Sequence, residues 1–244
     1  DLSISATCIN PFTLRNGGMI PYYVNDASTN GDVYCTAVGN DANNGLTPAT
    51  PKAHLQAILD AYELAPEDVA FVDAGTYSAG APPISIDATD SGWSNLYVTI
   101  QGSTNPVAPT VFAAPSLLTP NVFSFAYAVN VRLKNLTIRS GTVGVKLYQS
   151  SNCEFDQVRI EGSRTTGLEL ERSDNFHFVR SVLWKQLIAP QGQGVLLISS
   201  QIAIENSVLW GSPLAVYVSS GDLMVTNSLL EARGPDGRVY FFSV

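Results

Sequence analysis

The chain is short of positive charge, of sulfur, of helical periodicity and of long apolar runs. Its 244 residues hold 13 Lys and Arg against 21 Asp and Glu, a net charge of -8. Nucleic acids and anionic membranes are bound by clustered basic side chains, and here the basic residues are scattered, which argues against both partners. No run approaches the roughly 20 apolar residues of a membrane span. No basic stretch followed by an apolar one opens the chain as a secretory leader would, so Asp1 reads as a mature terminus. Three cysteines leave little redox chemistry. Cys8 and Cys35 either pair as a disulfide or stand as two small buried side chains. Cys153 has no base beside it and reads as a structural thiol.

What the second half does contain is a repeat. Segments 131–138, 153–160, 177–183, 203–209 and 224–230 superimpose with Leu133, Phe155, Phe178, Ile204 and Val225 in register, at intervals of 22, 23, 26 and 21 residues. A second set of apolar segments follows the same rhythm, at Val145–Leu147, Leu168–Leu170, Val195–Leu197, Val216–Val218 and Val239–Phe241. Alternating β-branched runs at this period, with no helix of ten residues between them, predict one coil of short parallel strands per repeat. Helical solenoids need longer repeats, and leucine-rich repeats carry a fixed Leu and Asn spacing that is missing. Stacked coils satisfy one another's backbone and bury a shared apolar column.

Upstream, residues 1–24 form a strand-like arm and residues 25–66 a polar loop and a capping helix, leaving 67–244 as the body. The segment from Pro51 to Ala65 places Ala53, Ala57, Ile58, Ala61 and Tyr62 on one helical face, with Thr50 as N-cap and Pro66 as terminator. Strand-like runs then fall at 69–77, 84–87, 96–102, 110–114 and 122–129.

Tyr22-Tyr-Val, the stretch from Val38 to Pro51, the helix through Ile58 and the segment Asp68 to Tyr77 together resemble the N-terminal signature of secreted right-handed parallel β-helix proteins of the pectate-lyase-like superfamily. The resemblance spans nearly the whole chain. It implies an all-β, right-handed parallel β-helix whose N-terminal end is plugged by the short helix, and a secreted or cell-surface location. It implies less about activity, because one scaffold hosts many. Lyases of the superfamily use a Lys or Arg base, often with calcium, and its hydrolases use clustered carboxylates. On that resemblance Arg159, Arg180 and Lys185 are the candidates for chemistry, within a wider set of Arg164, Arg172, Glu161, Glu169, Glu171, Asp174 and His177.

Other features are weighed on the residues themselves. The loop Gly39 to Gly45 offers Asp41 and Asn43 as oxygen ligands for calcium but lacks the distal Glu of a complete site, and its Asn, Asp and Gly also suit tight turns. Asn152 and Asn175, one coil apart, read as a structural amide ladder. His54 reads as a surface residue of the helix and His177 as an outward, solvated side chain. The middle residues of the second strand set point away from the core and run Lys146, Glu169, Leu196, Tyr217, Tyr240 up the stack. This strip turns apolar, and contiguous apolar strips mark contact surfaces. It suits a sugar-stacking platform, a neighbouring subunit or the chain's own N-terminal arm. The last segment, with Tyr240, Phe241 and Phe242, has no polar cap, and open strand edges recruit other chains.

These observations predict a secreted, non-catalytic structural or adhesive module that self-associates end to end. The alternatives are a calcium-assisted uronate lyase and a carbohydrate-binding module without turnover. A resident cofactor is not expected beyond the calcium already considered.

Overall fold

A computed structural model describes residues 18–79, 82–184, 192–211 and 214–232. The elements, in chain order, begin with β1 (Pro21–Val24), α1 (Leu55–Leu59), β2 (Val69–Val72), β3 (Gly75–Ser78), β4 (Ile84–Ile86), β5 (Val98–Gln101), β6 (Thr110–Ala113) and β7 (Asn121–Ala126). The regular coils follow with β8 (Val131–Arg139), β9 (Val143–Tyr148), β10 (Glu154–Glu161), β11 (Thr166–Glu171), β12 (Phe176–Val179), β13 (Val182–Trp184) and β14 (Gln193–Ile198). The last are β15 (Ser200–Glu205), β16 (Val208–Gly211), β17 (Leu214–Val218), β18 (Gly221–Thr226) and β19 (Leu229–Ala232).

All strand-to-strand pairings among the described residues are parallel and join one coil to the next. The register is the one the repeat requires: Leu133, Phe155, Phe178, Ile204 and Val225 stack as direct partners, as do Val145, Leu168, Val195 and Val216. Each regular coil has three faces rather than two strands. The first apolar segment bends midway, at a residue in the left-handed conformation: Asn135, Gln157, Arg180, Asn206 and Asn227 have φ between 47° and 57°. Strand backbone cannot turn so sharply without leaving the β region, and asparagine tolerates the left-handed one. A second left-handed column, Tyr127, Gln149, Arg172 and Ser199, turns the chain after the third face.

The interior is one aromatic and aliphatic column. Rings pass from Tyr77 to Phe112, Phe123, Phe125, Phe155 and Phe176 with centroids 4.9–6.5 Å apart, and Leu133, Phe155, Phe178 and Ile204 are fully buried. Such aromatic pairs add about 0.5–1.5 kcal/mol beyond the burial of their area.

The N-terminal region departs from expectation in three ways. First, β1 is not part of an arm: it pairs with β2 along its whole length as the first strand of the stack. The segment 2–9 lies outside the described residues. Second, the helix is one short turn, with Leu55, Ile58 and Leu59 buried instead of the longer predicted face. The chain from Pro51 is extended, because Lys52 bridges to Val24 and is itself buried. Third, Thr50 does not cap it and instead bonds the Asn44 side chain. Among the described residues no side chain caps the first turn; the chain entering it is held instead by Asp41, whose Oδ1 accepts the backbone N–H groups of Ala53 (2.9 Å) and His54 (3.0 Å). Buried Asp73 ties the polar loop to the first coil by accepting from the N–H groups of Val33, Tyr34 and Cys35 at 2.6–2.7 Å.

Candidate functional site

The outer face of the third set of strands carries the strip read from the sequence. Ser85, Ser124, Lys146, Glu169, Leu196 and Tyr217 are successive partners up the stack. Alternation puts their neighbours Val145, Leu147, Leu168, Leu170, Val195 and Leu197 wholly in the core, so these residues must face out. Lys146 Nζ lies 2.9 Å from Glu169 and 3.3 Å from Glu171. Its hydrogen bond to Glu169 and the two carboxylate charges outweigh its partial burial and push its pKa up. It is therefore held as a cation, the wrong form for a general base. The next two coils present Leu196 and Tyr217, both half-buried. Tyr240, Phe241 and Phe242 lie outside the described residues.

The candidates for chemistry do not converge. Arg159 and Glu161 lie on the second face, where Arg159 Nε donates to Glu161 at 2.5 Å and Arg139 donates to the same carboxylate. Burial favours the neutral acid, but the two guanidinium groups more than offset it and lower the pKa of Glu161. Arg180 sits at the left-handed corner and pairs through two nitrogens with Asp156, whose side chain is 5% exposed. His177 is on the first face, bonded to Asn175 and 3.8 Å from Glu205. Glu169 and Glu171 belong to the third face, and Arg172 to the corner after it. A repeat places residues that are close in sequence on different sides of the coil, so the described members of this charged stretch are spread over the faces instead of gathered on one. Lys185 lies outside the described residues.

The remaining candidates serve the fold. Asp41 engages both carboxylate oxygens, one with the backbone of Ala53 and His54 and the other with the His54 ring at 2.6 Å. Asn43 donates to the carbonyl of Pro51 at 2.9 Å. Gly45 has φ +70° and its hydrogen faces Ile58, where a Cβ would come within 2.4 Å, so the loop needs glycine to lie on α1. Among the described residues no cluster of three or more His, Cys, Asp or Glu is arranged to hold a metal. Cys35 is buried, with its Sγ 3.6 Å from the Val24 carbonyl oxygen; Cys8, the other member of the pairing that the sequence leaves open, lies outside the described residues. Cys153 is buried, and burial pushes its thiol up to about 12, as a structural thiol requires.

A family model described as the right-handed beta helix region matches residues 121–230. The fold is the right-handed parallel β-helix of the pectate-lyase-like proteins. The pectate lyase Pel9A has a similar structure, with a TM-score of 0.65 at 16% identity over 86% of this chain and 54% of that one. A rhamnogalacturonan lyase gives 0.57 at 15% identity over 93% of this chain and 66% of that one. The chain thus spans about half the length of the first and just under two thirds of the second. No curated protein matches it by sequence.

The β-helix contains ladders that the sequence reading only half found. The Asn152–Asn175 ladder is present, with Nδ2 to Oδ1 at 2.7 Å, and a second joins Asn206 and Asn227 at 2.6 Å. Two serine ladders run beside them. The hydroxyls of Ser150, Ser173 and Ser200 accept the backbone N–H groups of Ala128, Ser150 and Ser173, and Ser181, Ser207 and Ser228 do the same for Val158, Ser181 and Ser207, all at 2.9–3.2 Å. Their signal was available as serines recurring at the period of the repeat.

Proposed function

We propose that the chain is a non-catalytic β-helix module that adheres to polysaccharide through its third face, at the cell surface or outside the cell. The observation that carries this reading is the strip itself: Lys146 is neutralised by Glu169 and Glu171, and the coils above it offer Leu196 and Tyr217 in direct register. A tyrosine ring and a leucine on adjacent strands, about 4.8 Å apart, form a platform on which the C–H face of a pyranose packs. The fold is shared with proteins named pectate lyase and rhamnogalacturonan lyase, which supports a polysaccharide as the partner. The lyase alternative is weaker, because Arg159 and Arg180 are engaged with Glu161 and Asp156 and Lys146 is held protonated.

The test is retention on immobilised pectic and neutral polysaccharides, with ultraviolet absorbance of the eluate recording any unsaturated product. Retention that falls with Tyr217→Ala, with no such product, is expected. Retention indifferent to that substitution overturns the reading.

A second reading, end-to-end self-association, draws on one observation. Core partners Leu133, Phe155, Phe178 and Ile204 are fully buried, whereas Val225, next in the column, is 38% exposed, beside Met224 at 55% and Leu229 at 55%. An apolar edge of this kind is covered by another strand when one is available. Sedimentation velocity over a range of concentrations tests it, with a concentration-independent monomer as the contrary result.

A further inference from the structure

We propose that the outer side of the second face is the interface of a dimer of this chain, in which two copies pack antiparallel about an axis between the coils of Val182 and Val208. This face changes character up the stack. On β10 its outward residues are Arg159 and Glu161, whereas on the next three coils Val182 and Trp184, then Val208 and Trp210, then Leu229 follow them. Ile160, Leu183 and Leu209 between them are fully buried and Leu230 packs on the core, which sets the alternate residues outward.

The apolar residues adjoin one another. Val182, Val208 and Leu229 are direct strand partners, and the Trp184 and Trp210 rings have centroids 3.8 Å apart. The valines and tryptophans are half-buried and Leu229 is 55% exposed. Contiguous apolar patches mark contact surfaces, and tryptophan and arginine are the side chains that most often dominate binding between proteins.

Charge at the two ends of the patch selects the occupant. Below it, Arg139 and Arg159 share the single carboxylate of Glu161, an excess of one positive charge. The Arg159 guanidinium leans up the stack, 5.9 Å from the centroid of the Trp184 ring. Above the patch stands the charge of Glu231, the strand partner of Trp210. A two-fold axis along the strands, midway between the Val182 and Val208 coils, reverses one stack against the other. Val182 and Trp184 of each copy then meet Val208 and Trp210 of the other, and each basic end meets the other copy's Glu231, the reciprocity of an isologous contact. Two stacks running in the same direction would set guanidinium on guanidinium and Glu231 on Glu231. Five apolar side chains are few beside the roughly 20–30 residues a side of a standard interface, so the dimer is reversible and depends on concentration.

The test is sedimentation velocity of the full chain over a range of concentrations, in which a reversible dimer is expected. Arg159→Glu and Glu231→Arg, measured separately, each bring like charges together and weaken the dimer about tenfold or more. An equimolar mixture of the two variants restores it, since each altered charge then meets its opposite, and that recovery requires both variants to be folded. Met224→Lys, at the open edge of the first face, and Tyr217→Ala, on the third, leave the dimer unchanged, which separates this contact from end-to-end association and from the polysaccharide reading. A monomer at every concentration, assembly that Met224→Lys abolishes, affinities unaltered in both charge variants, or a mixture no tighter than its components overturns the proposal.

Discussion

Lys146 lies directly beneath Glu169, one coil down on the same face, with its ammonium 2.9 Å from the carboxylate. The pair is one of a set. Arg132 faces Glu154, Lys134 faces Asp156 and Arg139 faces Glu161 as direct strand partners, so the basic residues of β8 and β9 all meet acidic residues of the following coil. A slip of one residue brings each charge opposite an apolar side chain and turns the core residues outward. The charges that resembled catalytic candidates thus serve to fix one register.

Individually these exposed pairs contribute little. Lys146→Met is expected to cost less than about 1 kcal/mol in urea unfolding. Lys146→Glu, which gathers like charges at Glu169 and Glu171, costs more than the neutral substitution. Equal losses for the two contradict the pairing.

The core column is a stronger determinant. Phe155 is fully buried and its ring contacts those of Phe125 and Phe176. Phe155→Ala is expected to cost about 3–5 kcal/mol, measured by the shift of the urea midpoint at constant slope.

Asp90, 4% exposed, is expected to make stability fall with rising pH. Burial, then the neighbouring charges of Asp87, Glu63 and Asp60, outweigh its bond from the Leu64 N–H and raise its pKa to about 7. A folded-state pKa above the unfolded value of 3.8 means that its favourable contribution is complete below about pH 4 and is lost as pH rises towards 7. Asp90→Asn removes that slope, for a relative gain of roughly 2 kcal/mol at pH 8 over pH 4. Parallel pH profiles for the two proteins contradict the assignment.

Asp41 works in the opposite sense. Burial raises its pKa, but the hydrogen bonds from His54 and Ala53 more than offset that and lower it. Its contribution is present above the usual carboxylate range and is lost as pH falls through the folded-state value. Asp41→Ala is expected to cost about 1 kcal/mol at neutral pH, as loss of hydrogen bonds to a partly exposed carboxylate does, and less near pH 3. Melting in calcium and in chelator is expected to coincide, because both Asp41 oxygens are engaged; a calcium-dependent rise in Tm contradicts this.

The coils were legible because stacking is a periodic constraint. Leu133 to Val225 and Val145 to Val216 must recur in register to share a core, and they do so in the sequence as in the structure. The bend within each first segment was not legible, because Gln157 and Arg180 hold the left-handed conformation without being glycine or asparagine. Nor was the helix length, since Lys52 and Asp41 act on it across a loop. The outward strip Lys146, Glu169, Leu196, Tyr217 followed from alternation alone. The dispersal of Arg159, Arg180 and His177 over two faces and the corner between them needed the corner positions that the alternation does not mark.

Polysaccharide binding by the third face is measured most directly by affinity electrophoresis of the wild-type chain, Tyr217→Ala and Leu196→Asp through gels containing pectic polysaccharide, with ultraviolet absorbance of matched incubations. The wild type is expected to be retarded, both variants to run free and no absorbing product to accumulate. Unsaturated product, or retardation shared by all three proteins, contradicts it.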